Sequence, residues 1–222
     1  MEKTVKIKEV KPVTHDVKQF IVEKPSGYEF TPGHATEVSI NKEKWKDEKR
    51  PFTFTSLNDD DYLEFTIKIY PEHDGVTEQL GKLEPGDELI IRDTWGAIEY
   101  KGPGYIIAGG AGITPYIAML RKLKKENKLE GMKLFYSNKT DKDIILKEEL
   151  DAMLGAHATY VITDQDDTRF TNAYIDKDFL KKHIKDFDEK FYVCGPPKMT
   201  EEIGETLENL GANADAVTLD DQ

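Results

Sequence analysis

The run Gly109-Gly110-Ala111-Gly112-Ile113-Thr114-Pro115 has the residue types of a phosphate-binding turn. An apolar segment at 105–108 precedes it and reads as a buried strand. Ile117, Leu120 and Leu123 follow on one face of an expected helix. Thr114 is placed to cap that helix, and Pro115 to take its first position, where a missing N–H costs nothing. Backbone donors and the positive end of the helix dipole would then point outward together, which suits an anion. The spacing is G-x-G-x-x-P rather than the G-x-G-x-x-G of the standard dinucleotide turn.

Three further segments carry residue types suited to a cofactor. In Arg50-Pro51-Phe52-Thr53-Phe54-Thr55-Ser56, strand alternation puts Arg50, Phe52 and Phe54 on one face and Thr53 and Thr55 on the other. An aromatic can cover a planar ring, a hydroxyl can bond a ring nitrogen, and a guanidinium can pair with phosphate through two bonds. An ordinary edge strand with a core Phe has the same pattern. Asp74-Gly75-Val76-Thr77 opens a helix and makes a second cup of backbone donors, or a plain N-cap. Val193-Cys194-Gly195-Pro196-Pro197 puts the lone thiol at the C-terminal end of a strand, where parallel sheets bind ligands. A small buried hydrophobe is the commoner role of a free cysteine.

These segments need elements to hold them. Short β-like segments lie at 4–10, 17–23, 35–40, 52–56, 63–69 and 88–92, with turns such as Pro32-Gly33 and Pro85-Gly86-Asp87 between them. They predict an antiparallel six-stranded β-barrel, interrupted by a helix over 76–83. After Gly102-Pro103-Gly104 strands and helices alternate: strands at 105–108, 132–136, 159–163, 191–193 and 216–219, helices at 115–127, 144–153, 176–186 and 198–210. That rhythm predicts an α/β parallel sheet with helices on both faces. The expected division is 1–101 and 102–222.

The 222 residues carry a net charge of −12, which argues against a nucleic-acid partner or an anionic membrane surface. No apolar run reaches the ~18 residues of a membrane span, and no signal peptide is evident, so a cytoplasmic protein is expected. A single cysteine excludes a disulfide framework and a cysteine-ligated iron–sulfur cluster within this chain. His15, His34, His73, His157 and His183 share no short ligand spacing, so no metal site is expected.

Taken in order, the segments resemble the ferredoxin–NADP⁺ reductase superfamily, most nearly its compact bacterial flavodoxin and ferredoxin reductases. The markers are an R-x-[YF]-[ST]-x-x-S flavin motif, the G-x-G-x-x-P turn and a late C-G-P, and together they span nearly the whole chain. The resemblance implies a flavoprotein oxidoreductase with a flavin-binding barrel first and a pyridine-nucleotide domain second. Arg50 would hold the flavin pyrophosphate, and Phe52, in place of the usual Tyr, would cover the isoalloxazine. Thr53 would lie near the flavin N5, with Ser56 supporting the flavin loop. Gly75, Val76 and Thr77 would cradle the pyrophosphate, favouring FAD over FMN, with backbone contacts from Lys68 and Ile69. Gly110, Gly112 and Thr114 would receive NADH or NADPH, and Cys194 and Gly195 would border its nicotinamide. Thr53 and Cys194 are the catalytic candidates.

The implied reaction is hydride transfer from NAD(P)H to FAD, then electron transfer to a ferredoxin, a flavodoxin, an oxygenase component or a small molecule. Alternatives are a reductase subunit of a larger complex, or a regulatory module that binds nucleotide without turnover. Lys42, Lys44, Lys46, Lys49 and Arg50 form a candidate basic patch for an acidic acceptor. Ser137-Asn138-Lys139, with Lys142 beyond, offers a hydroxyl and a lysine for a 2′-phosphate but no Arg fork. No carboxylate sits directly at the strand end, though Asp141 and Asp143 lie close by, and the balance leans to NADH. Thr218 to Gln222 hold no aromatic to shield the flavin; Trp95 is a candidate cover, though a structural tryptophan at a barrel turn is the commoner role.

Overall fold

Alternating burial along Lys3–Pro12 (β1) and Val17–Glu23 (β2) gives one face to a core, and the two strands pair antiparallel. Ala35–Ile40 (β3), Arg50–Thr53 (β4), Tyr62–Lys68 (β5) and Glu88–Trp95 (β6) complete the first sheet, in the order β4-β3-β6-β1-β2-β5. A Phe54–Phe65 bridge links the segment after β4 to β5 at the opposite edge, so the sheet closes as the expected barrel. Inside, Phe54 stacks on Phe30 with ring centres 4.3 Å apart and lies 5.0 Å from Phe65. The short helix Val76–Leu80 (α1) adds Val76 and Leu80 to this core. These coordinates are a computed structural model describing every residue except Met1, His73, residues 166–169 and Gln222.

The strand expected at 52–56 is displaced. Phe54 N–H still bonds the His34 carbonyl (3.2 Å), but Thr55 N–H bonds the Glu64 carbonyl (2.8 Å). The chain thus crosses from β3 to β5 between these residues, because closing the barrel requires a strand to change partners. Thr53, Phe54, Thr55 and Ser56 are consequently all buried, and Phe52 only half-buried. The predicted separation of faces therefore fails beyond Thr53.

Gly104–Gly109 (β7), Lys133–Asn138 (β8), Ala158–Ile162 (β9), Thr171–Asn172 (β10), Lys190–Gly195 (β11) and Val217–Asp221 (β12) form an entirely parallel sheet, ordered β10-β9-β8-β7-β11-β12. Thr114–Lys125 (α2) and Lys147–Leu154 (α3) cover one face. Lys177–His183 (α4) and Pro197–Asn209 (α5) cover the other. Burial on both faces explains why β7 and β11 read as unbroken apolar runs rather than alternating ones. The strand order reverses at β7 and β11, and the crevice beyond their C-terminal ends is where such a sheet takes a ligand. Among the described residues, no helix is long and apolar enough to cross a membrane.

Candidate functional site

Leaving β7, the chain winds through a 3-10 turn, Gly110–Ile113, straight into α2. Thr114 is already helical (φ −61°, ψ −39°), and the cap position belongs to Ile113, without a side-chain cap. The expected Thr114 cap is therefore corrected: winding begins at Gly110, so the N–H groups lacking partners inside the turn are those of Gly110, Ala111 and Gly112. Gly110 has φ +53°, and a Cβ there would enter open space, so backbone conformation alone demands glycine. Gly112 answers to crowding instead. A Cβ on it would lie 2.3 Å from the Cys194 carbonyl oxygen and 2.7 Å from Gly195 Cα. The turn and the end of β11 are thus pressed together at the strand-order reversal, joining two segments far apart in sequence.

Two tyrosines that sequence patterns did not single out shape this corner. Tyr136, fully buried on β8, donates its hydroxyl to the Gly110 carbonyl (2.8 Å) and braces the turn from beneath. Tyr116, in the first turn of α2, is fully buried with a hydroxyl that has no hydrogen-bond partner among the described residues. Burial, followed by the influence of Cys194 and Asp220, raises the pKa of that phenol well above its usual value. Cys194 itself is completely buried, and β12 runs beside it with Asp220 in register.

In the barrel, Arg50 is half-exposed: its Nη1 donates to the Lys49 carbonyl (2.6 Å), and Glu48 lies 3.8 Å from its Nη2. An exposed pair this loose leaves the guanidinium available to a stronger anion. Ser56 is fully buried, and its Oγ accepts the Glu64 N–H (3.0 Å), so it props the loop by a side-chain bond. Thr53 is buried just ahead of it. At the second cup, Gly75 is extended (φ −110°, ψ 179°) and caps α1 without a side-chain bond. The Asp74 N–H is already held by Glu78 Oε2 (2.9 Å), so the open donors begin at Gly75. Nearby, Lys68 pairs with Asp16 (2.8 Å) and the Ile69 N–H bonds the Asp16 carbonyl (2.7 Å).

Other expected features are partly neutralised. Lys42 pairs with Asp87 (3.0 Å) and Lys49 lies 3.8 Å from Glu37, so the basic patch is interleaved with acids. Trp95 is half-exposed at the end of β6. Asp143 closes a capping box with Thr140, its Oδ2 accepting from both the Thr140 N–H and Oγ1–H (2.8 and 2.7 Å). Asn138 is buried at the end of β8, with its carbonyl accepting the Thr163 N–H (3.0 Å). His15, Asp16 and Asp143 bring ligand-type atoms within 4.8 Å of one another, a grouping that no sequence spacing reveals. Lys68 and Thr140 already satisfy its two carboxylates. His73 lies outside the described residues.

Residues 4–100 match the family described as oxidoreductase FAD-binding domain, and residues 106–205 the oxidoreductase NAD-binding domain. The chain is 32% identical to NADH-cytochrome b5 reductase 2 of Candida glabrata over 209 residues, covering 86% of this chain and 70% of that protein. This chain belongs to the FAD- and NAD-binding oxidoreductases. It is an FAD-dependent NAD(P)H oxidoreductase with the two-domain fold of ferredoxin–NADP⁺ reductase. NADH-cytochrome b5 reductase 2 of Mycosarcoma maydis is 31% identical over 219 residues, covering 89% of this chain, which spans 62% of that longer relative. A Neisseria gonorrhoeae ferredoxin NADP⁺ reductase with bound FAD and NADP superposes with TM-score 0.87 at 18% identity, covering 99% of this chain and 98% of that one. The cytochrome b5 reductase domain of Ulva prolifera nitrate reductase gives 0.83 at 23% identity, covering 98% and 96%. At these identities the structural likeness speaks for the fold.

Proposed function

We propose that residues 1–101 hold FAD, residues 102–222 hold NADH or NADPH, and the two cofactors meet in front of Cys194 and Gly195. The observation that supports this reading is the packing of Gly112 against the Cys194 carbonyl, which presses the donor turn against the end of β11. The chain's groups fit the two cofactors. Gly110, Ala111 and Gly112 offer N–H donors at a turn mouth with open space beside Gly110, and the half-exposed Arg50 stands on the barrel side.

When bound, FAD supplies the capacity to accept a hydride from the reduced nicotinamide and to release its electrons onward. The protein's contribution is orientation and charge. Arg50 balances pyrophosphate charge together with the open N–H groups that begin at Gly75, and Val76 anchors that cup in the barrel core. Phe52 would cover one face of the ring, and Thr53, buried at the end of β4, would lie near the ring edge. Ser56 fixes the loop through Glu64, while Lys68 and Ile69 frame the cup through their ties to Asp16. Gly110, Gly112 and Thr114 would receive the dinucleotide, and Cys194, fully buried at the end of β11, would border its nicotinamide together with Gly195.

NADH is the favoured donor, since residues 137–139 contain no arginine to grip a 2′-phosphate. The relatives' names point to a small haem protein such as cytochrome b5 as the acceptor class, with ferredoxin or flavodoxin as the other protein candidates. Titration of apoprotein with FAD, followed by flavin fluorescence, tests the barrel assignment. Arg50→Ala is expected to weaken FAD binding about tenfold or more, the scale of one charge-assisted contact. Unchanged affinity would remove Arg50 from the site.

A further inference from the structure

One arginine bridges the two halves at a place no motif marks. Arg121, on α2, lies seven residues beyond Thr114, about 10 Å along the helix axis. Its Nη1 donates to the Thr55 carbonyl (2.5 Å) and to Glu64 Oε1 (2.6 Å). Its Nε and Nη2 grip both oxygens of Glu149 on α3 (2.6 and 2.9 Å). Glu64 Oε1 also accepts from Thr55 Oγ1–H (2.8 Å), and the Glu64 N–H donates to Ser56 Oγ (3.0 Å). The guanidinium is therefore bonded to the segment Arg50–Ser56 from the helix that the nucleotide turn starts. Burial opposes its charge, but Glu149 and Glu64 outweigh that and raise its pKa further.

The energetics favour geometry over stability as the reason for this cluster. The Glu64 side chain is only 6% exposed and Arg121 only 21%, so desolvation offsets most of their attraction. A fork bonded on two sides nonetheless fixes distance and angle, which a single lysine contact would not. Residue 55 is two positions from Thr53, and α2 leads back without a break to Gly112. Building on the function proposed above, we propose that Arg121 is a positioning residue for hydride transfer, setting the spacing between the flavin segment and the nucleotide turn. Its hydrogen bonds described above all go to protein groups. Its effect runs through Thr55 and Glu64 on one side and α2 on the other. A displacement of about 1 Å between reacting groups is worth up to ~10²-fold in rate.

The test compares Arg121→Lys and, if the lysine form folds poorly, the double variant Arg121→Met/Glu64→Gln. The double variant removes the buried Glu64 charge together with the guanidinium and leaves Glu149, whose side chain is 32% exposed, to be solvated by water. Holoenzyme is mixed anaerobically with saturating NADH, protiated or deuterated at nicotinamide C4, and flavin bleaching is followed. The expected result is FAD affinity within about threefold of wild type, bleaching at least about tenfold slower and an isotope effect no smaller than wild type. The long-wavelength charge-transfer absorption of stacked nicotinamide and flavin should weaken in parallel, a signature that simple loss of stability does not alter. Bleaching and charge-transfer absorption unchanged in both variants, with only the melting temperature lowered, would make Arg121 a clamp for stability alone and overturn the proposal. A wild-type protein that binds no FAD would instead overturn the functional reading, and the positioning role with it.

Discussion

The turn after β7 and the segment after β4 both carry a strand toward a cofactor, and they are built in opposite ways. The first is local: a glycine in the left-handed region, a 3-10 turn and a helix follow within a few residues. The second depends on distance. Past Thr53 the chain changes strand partners, and its hydroxyls are satisfied by Glu64 and Thr66 on β5. Backbone conformation shapes the nucleotide turn, braced from beneath by Tyr136, whereas long-range side-chain bonds build the flavin side. Substitutions should accordingly fail differently in the two places.

The largest expected effect is at Gly112. Replacing it with Val forces a side chain into the Cys194 carbonyl, a backbone atom that cannot step aside. Overpacking of this kind costs about 1–3 kcal/mol, and it should also abolish NADH binding while leaving FAD binding largely intact. Denaturant unfolding and separate titrations of the two cofactors check this; equal loss of both would break the distinction between the halves.

Next comes Ser56→Ala, which strands the buried Glu64 N–H and should cost about 1–3 kcal/mol. Here FAD affinity should fall and NADH affinity hold, the mirror image of Gly112→Val. Cys194→Ala removes a fully buried thiol and should slow flavin reduction by NADH more than it lowers the melting temperature. An unchanged reduction rate would make Cys194 packing only. Gly110→Ala sharpens the contrast within one turn. The added Cβ meets nothing, so only the positive φ resists it, at roughly 1 kcal/mol.

The smallest effect is electrostatic. Burial raises the pKa of Asp16, but hydrogen bonds from Lys68 and Thr14 outweigh it and hold that carboxyl below its ordinary 3.8. A folded-state pKa below the unfolded one adds stability that is present above about pH 4 and is lost as pH falls through the folded value. Lys68→Met should flatten that acid limb in a pH series of melting temperatures, and an identical acid limb would show that Lys68 does not hold the carboxylate.

The contrast between the two segments also separates what is legible in the sequence from what is not. Glycine-rich turns and apolar periodicity are local signals, so the six-stranded barrel, the parallel sheet and the Gly110 turn were all readable from residue types. The partner exchange after Thr53 was not, because barrel closure between β4 and β5 decides it rather than alternation. The Thr114 cap failed for a related reason: a 3-10 turn had begun the winding earlier. Arg121, Tyr136 and the His15, Asp16 and Asp143 group carried no signal, since each depends on contacts between residues far apart in the chain. Asp143, close to the strand end in sequence, has its Oδ2 engaged by the Thr140 capping box, a local bond that residue type alone does not reveal.

The most direct measurement is the visible spectrum of the FAD-loaded protein during anaerobic titration with NADH and, separately, with NADPH. Bleaching of the flavin bands at one equivalent of NADH, with NADPH needed in excess, is the predicted result. Flavin bands that persist under both nucleotides would contradict the account that the Gly112 and Cys194 crevice brings nicotinamide to the flavin.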